Sequence, residues 1–229
     1  MLSTPTILTP KNARYPSALM GVKEGNLFPR IWSIGSLDIF GRQMLGLFCS
    51  VKCPGDLILR TYDLARALRD AGVPVISGFH SPIEKDCLDL LLRGSQPVVI
   101  CPARSIENMR LGKDLKTGVE KGRVLVLSPF DRKIKRSTAE SSQLRNQLVG
   151  ALAAAVFVAY ADPGGKTEEF CKEILQSGKP LYTFESQYNK VIVDKGASPV
   201  NTKTITQWAN SLKGVATDWR AAKDNGRLR

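Results

Sequence analysis

Between residues 145 and 167 the chain reads RNQLVGALAAAVFVAYADPGGKT: an Arg-Asn pair, an apolar run and a Gly-Gly-Lys-Thr turn in direct succession. An apolar strand that ends in a Gly-rich turn and opens a helix is how an α/β protein holds phosphate. Backbone donors of Gly164 and Gly165, the positive end of the helix dipole, the Lys166 ammonium and the Thr167 hydroxyl would all face an anion. Arg145 can present paired guanidinium donors to a phosphate, and Asn146 can fix the turn beside it. These residue types predict a phosphorylated ligand, whether nucleotide, cofactor or nucleic-acid backbone.

Competing chemistries fit less well. A nucleotide-triphosphatase loop needs a glycine five residues before Gly165, and Tyr160 stands there. Glu168 or Glu169 with Arg145 could support cleavage of an N-glycosidic bond, a carboxylate stabilising the developing positive charge. Acidic residues in a first helical turn also simply complement the macrodipole. Five cysteines form no Cys-x-x-Cys pair and fall mostly in apolar segments, so reduced core thiols are expected. His80 is the one histidine, and no metal site and no cofactor are expected.

The elements that must hold these groups can be read from the hydrophobic pattern. Short apolar runs at 45–49, 73–77, 98–101, 124–127, 155–160 and 181–184 alternate with helical patterns. That alternation predicts an α/β protein: a Rossmann-like, doubly wound, mostly parallel sheet with helices on both faces. One helix is expected over 56–71, with Leu57, Thr61, Leu64, Ala65 and Leu68 on its buried face. A second starts at Ser81, with Pro82 in its first turn and Glu84 completing a capping box. A third starts at Ser137 with Glu140 as its box partner and carries Leu144, Leu148 and Leu152.

Ligands of such sheets bind outside the carboxyl ends of the strands. Ser50 and Lys52, Ser77, Gly78 and His80, Arg104, Ser128, and residues 162–167 lie there. Residues 1–44, rich in Pro, Gly and turn formers with one helical or extended piece at 31–35, form an N-terminal segment that wraps the sheet. The core then spans 45–195. Residues 196–229 are a basic tail with a helical pattern through Ile205, Trp208, Ala209, Leu212 and Val215.

Composition points the same way. Thirty-three Lys and Arg against 21 Asp and Glu give a net charge of +12, which favours a polyanionic partner. The longest apolar run, about 14 residues, falls short of the roughly 20 needed to cross a bilayer. The first residues lack the layout of a signal peptide, so a cytoplasmic protein without a membrane partner is expected.

Several of these segments together resemble one family. Residues 15–19 (YPSAL), 29–35 (PRIWSIG), 71–79 (AGVPVISGF), 125–129 (LVLSP), 145–152 (RNQLVGAL), the Gly164-Gly165 pair and 178–184 (GKPLYTF) follow the order and approximate spacing of the DNA-processing protein A (DprA, or Smf) family. The resemblance covers roughly residues 15–195. It implies an extended Rossmann fold that binds single-stranded DNA, usually as a homodimer, and loads a recombinase during DNA uptake and recombination. It implies phosphate contacts at Ser50, Lys52, Ser77, Gly78, Arg145, Asn146, Gly164, Gly165, Lys166 and Thr167, without catalysis. Lys52 replaces the arginine of the family's Gly-Ser-Arg element, which aligns with Cys49-Ser50-Val51 here. Residues 163–169 (PGGKTEE) also resemble the hallmark of the lysine-decarboxylase-like phosphoribohydrolases of the same superfamily. A nucleotide-binding sensor or nucleoside-monophosphate phosphoribohydrolase is therefore the alternative reading.

Overall fold

Strand side chains alternate between two apolar faces, and that alternation organises the molecule. A computed structural model of the chain describes residues 4–20 and 27–212. Leu45 and Leu47, Val98 and Ile100, Val124 and Val126, and Phe157 point into one buried cluster. Phe48, Val99, Leu125, Leu127, Val156 and Val158 point into a second cluster on the opposite face. A two-residue period that is apolar on both sides is what a sheet covered on both faces requires.

The strands are β1 (Thr6–Leu8), β2 (Ile31–Gly35), β3 (Leu45–Phe48), β4 (Val75–Ser77), β5 (Val98–Ile100), β6 (Val124–Ser128), β7 (Ala155–Val158), β8 (Leu181–Phe184) and β9 (Ser198–Val200). The helices are α1 (Gly55–Ala71), α2 (Pro82–Leu92), α3 (Lys113–Glu120), α4 (Ala139–Leu152), α5 (Lys166–Gln176), α6 (Lys190–Asp194) and α7 (Ile205–Ser211). Among the described residues the sheet has nine strands in the order β1-β2-β6-β5-β4-β3-β7-β8-β9. All pairings from β6 to β9 are parallel. After β1 and β2 the parallel core starts at β3 in the middle, builds outward through β6, then returns to lay β7 on the other side of β3. The sheet thus reverses its direction of growth between β3 and β7, and a crevice opens there at the carboxyl ends of the strands.

The α/β class and all six strands read from the sequence are present, with ends shifted by one or two residues. The segment expected to wrap the sheet extends it instead. Its strand β2 pairs antiparallel with β6, setting Trp32 opposite Ser128, and β1 adds an outer edge. Helix α1 buries Leu57, Thr61, Leu64, Ala65 and Leu68 as expected. Ser81 caps α2, its hydroxyl accepting the Glu84 N–H at 3.2 Å. The capping box of α4 lies one residue later than predicted, between Thr138 and Ser141. Ser141 wins because its hydroxyl also donates to the Ala103 carbonyl at 2.8 Å, a tertiary bond Glu140 cannot make.

Helix α7 packs on α1, and Trp208 meets the rings of Phe157 (5.3 Å) and Tyr182 (5.2 Å). Val215 and the basic tail beyond it lie outside the described residues. The five cysteines are free; Cys53 is half-buried and the others are buried.

Candidate nucleic-acid interface

The loops leaving β3 and β7 are stitched together at the crevice. Ser50 donates its N–H to the Tyr160 carbonyl (3.0 Å), and its hydroxyl accepts the Asp162 N–H (3.0 Å). Ser50 is 8% exposed, so it joins the two loops more than it faces solvent. Lys52, two residues on, is exposed.

In the Gly-Gly-Lys-Thr turn, the Gly165 N–H closes on the Asp162 carbonyl (2.9 Å), and Gly164 holds a positive φ of 70°. The Gly164 N–H is taken by Glu168 Oε2 (2.8 Å). The other Glu168 oxygen accepts from Lys195, with Lys172 at 3.5 Å. Lys195 first, then the Gly164 N–H, holds this carboxyl down at about 2. Two backbone donors predicted for an anion therefore serve the turn itself. The amides of Lys166 and Thr167, which open α5, have no partner within the helix. Lys166 is exposed and Thr167 half-buried.

Beneath this rim lies a buried polar layer. Arg145 is 5% exposed; its Nε donates to Asn146 Oδ1 (2.8 Å) and its Nη1 to the Cys101 carbonyl (3.2 Å). A Cβ on Gly78 would sit 1.2 Å from Arg145 Nη1, so the guanidinium lies directly on the backbone after β4. Ser77 is fully buried, its hydroxyl accepting the Phe79 N–H (3.2 Å) and supporting the positive φ of 46° at Phe79.

Glu84 completes the layer, accepting N–H groups from Cys49 (3.0 Å) and His80 (2.8 Å). Burial pushes its carboxyl up, and the nearby Arg145 charge works against that shift. Burial likewise lowers the Arg145 guanidinium. Arg145 and Glu84 together pin the ends of β3, β4 and β5. Arg145, expected to clamp phosphate directly, spends its observed hydrogen bonds inside the protein. Glu84 reaches beyond the capping role read for it, to two loops that sequence spacing cannot bring together.

Above the layer, α4 and α5 diverge to leave a cleft of about 380 Å³. Gly150 lets the helices meet below it: a Cβ there would come within 3.1 Å of the Phe170 ring and 2.9 Å of Ile174. Of the residues expected to bind phosphate, Asn146 and Lys166 line the cleft, while Ser50, Lys52, Ser77, Gly78, Arg145, Gly164, Gly165 and Thr167 do not. Helix α4 and its cap add Thr138, Ser142 and Gln143; α5 adds Glu169, Phe170 and Glu173; His80 comes from the β4–α2 loop. Their signal in the sequence was helical spacing around Lys166 and Asn146. The exposed cations Arg132, Lys133, Lys135 and Arg136 lead straight into Ser137, also on the cleft wall.

Residues 6–216 match the family described as DNA recombination-mediator protein A. The fold is similar to DNA processing protein A of Streptococcus pneumoniae, at 15% identity over 87% of this chain and 72% of that one, with a TM-score of 0.72. It is similar to DNA processing protein A of Helicobacter pylori, described by its single-stranded DNA binding mode, at 19% identity over 94% of this chain and 100% of that one (TM-score 0.74). The molybdenum cofactor carrier protein of Chlamydomonas reinhardtii is more distant, at 10% identity over 76% and 96% of the two chains (TM-score 0.50). No curated protein sequence matches the chain.

Proposed function

The chain belongs to the DNA recombination-mediator protein A family, and from that premise we propose that it binds single-stranded DNA through the phosphate backbone at the carboxyl edge of the sheet. The observation that carries the proposal is the cleft at the mouth of α4 and α5. There Lys166 and Asn146 stand beside the first amides of α5, which have no partner within the helix, and at the end of an exposed basic loop. Phosphates would meet Lys166, Lys52, the Thr167 hydroxyl and those amides. Ser50, Ser77, Gly78, Arg145, Gly164 and Gly165 give the rim its shape from below. Hand-over of the bound strand to a recombinase and assembly as a homodimer in the cytoplasm belong to the same reading. Among the described residues no helix is long and apolar enough to cross a membrane.

A phosphoribohydrolase built on Glu168 or Glu169 would need Arg145 to hold phosphate beside the carboxylate; both Glu168 oxygens are engaged within the fold, and Glu169 lines the cleft while Arg145 does not. That weighs for binding over catalysis.

Fluorescence anisotropy of labelled oligo-dT at two salt concentrations tests the proposal. Wild type should bind at low salt and weaken as salt rises. Lys166→Ala and Lys52→Ala should each cost about 1 kcal/mol and flatten the slope of log affinity against log salt by about one. Failure to bind at low salt would sink the reading, and release of base from nucleoside monophosphates would replace it.

A further inference from the structure

The cleft is polarised along α5. Lys166, Glu169, Phe170 and Glu173 fall at i, i+3, i+4 and i+7, so they share one face of the helix. At 1.5 Å of rise per residue, Lys166 and Glu173 stand about 10 Å apart along the axis. A cation therefore occupies the end nearest the sheet edge, and two carboxylates follow it. Only the Lys166 end of this lining suits a phosphate, and the carboxylates beyond it do not. The lining suits a ligand that is anionic at one end and carries N–H donors at the other.

We propose that this cleft takes one nucleotide of the bound strand and prefers bases with an exocyclic amine over thymine. The inference rests on the single-strand-binding reading and adds a chemical selectivity to it. With the phosphate at Lys166, the base runs along α5 toward Glu169 and Glu173. Cytosine, adenine and guanine each offer an amino group to a carboxylate. Thymine offers one ring N–H between two carbonyl oxygens, and those oxygens repel a carboxylate placed opposite. The facing wall supplies Gln143 and Asn146, whose amides can serve ring nitrogens and carbonyls. Glu173 is steadied by Gln147, whose Nε2 donates to its Oε2 at 3.3 Å. Phe170 is fixed against Phe48, the ring centres 4.5 Å apart, and gives the cleft a rigid apolar surface. The volume of about 380 Å³ falls in the size range of small-molecule sites.

Anisotropy titrations with labelled oligo-dC, oligo-dA and oligo-dT of equal length at matched salt test the assignment. Wild type should bind oligo-dC and oligo-dA at least about fivefold more tightly than oligo-dT. Glu169→Ala should bring that ratio to about one, and oligo-dT binding should strengthen as the carboxylate opposite the thymine oxygens is removed. Glu169→Gln, which keeps an acceptor without the charge, should fall between. A purely structural role for Glu169 would weaken all three oligonucleotides alike and would overturn the proposal. Equal, salt-sensitive binding of the three by wild type would overturn the base preference while leaving single-strand binding intact. A preference that survives both Glu169→Ala and Glu173→Ala would place the selectivity elsewhere and overturn the cleft. No binding of any of them at low salt would overturn the function proposed above and the subsite with it.

Discussion

At Gly78 the space for a side chain is occupied by a guanidinium from another element. Any Cβ there must displace Arg145, which in turn holds Asn146 and the Cys101 carbonyl. Gly78→Ala should destabilise the protein by about 1–3 kcal/mol, the range for overpacking a filled interior, read as a lower urea midpoint at unchanged slope. The types of these residues were legible in the sequence, and their depth was partly legible too. Ser141, Arg145, Leu148 and Leu152 fall at i, i+4, i+7 and i+11, and all four are buried on one stripe of α4. Arg145 therefore sits on the inward face, and its charge made it look like a surface contact. Glu84 could not be read in the same way, because its partners lie on the loop after β3 and at His80.

Helix α5 is anchored by its own first turn. Glu168 ties the Gly164 N–H to Lys195, which follows α6, so one carboxylate links the Gly-Gly-Lys-Thr turn to the loop before β9. Its carboxyl is held down at about 2, below the ordinary 4.5. The sign follows from that depression: the stabilisation is present above about pH 4.5 and is lost as pH falls toward 2. Glu168→Gln should be less stable than wild type at neutral pH, and the gap should close over that acidic window in urea titrations. A gap that stays constant with pH would refute the assignment. At this scale the sequence was informative where side chains alternate or repeat over several residues, as in β3 to β8 and α1. It was weak where one turn decides. The stretch Ser137-Thr138-Ala139-Glu140-Ser141 offers two cap registers, and a bond to Ala103 from another loop chooses between them.

Across the whole molecule, the parallel core and its reversal between β3 and β7 follow from the order of apolar runs, which is why the class was legible. The edge strands β1 and β9 were not, because each buries one residue of three and shows no apolar run, whereas the equally short β4 and β5 are buried throughout. The site inherits a further property from this connectivity. The Ser50–Asp162 bond closes the crevice between positions 112 apart in the chain, with β4, β5 and β6 laid down in between. Closing so long a loop is entropically costly until the intervening strands have paired. The rim proposed to face DNA should therefore be among the last parts of the molecule to form. Trp208 packs against Phe157 of β7, so in a Trp32→Phe, Trp219→Phe background the remaining indole emission reports docking of the second half of the sheet. In stopped-flow refolding, oligonucleotide binding should return with the slowest phase of that signal, and its return during an earlier phase would refute late closure. A nascent or partly unfolded chain would then carry the charge for DNA without the shape to hold it, which couples binding competence to completion of the fold.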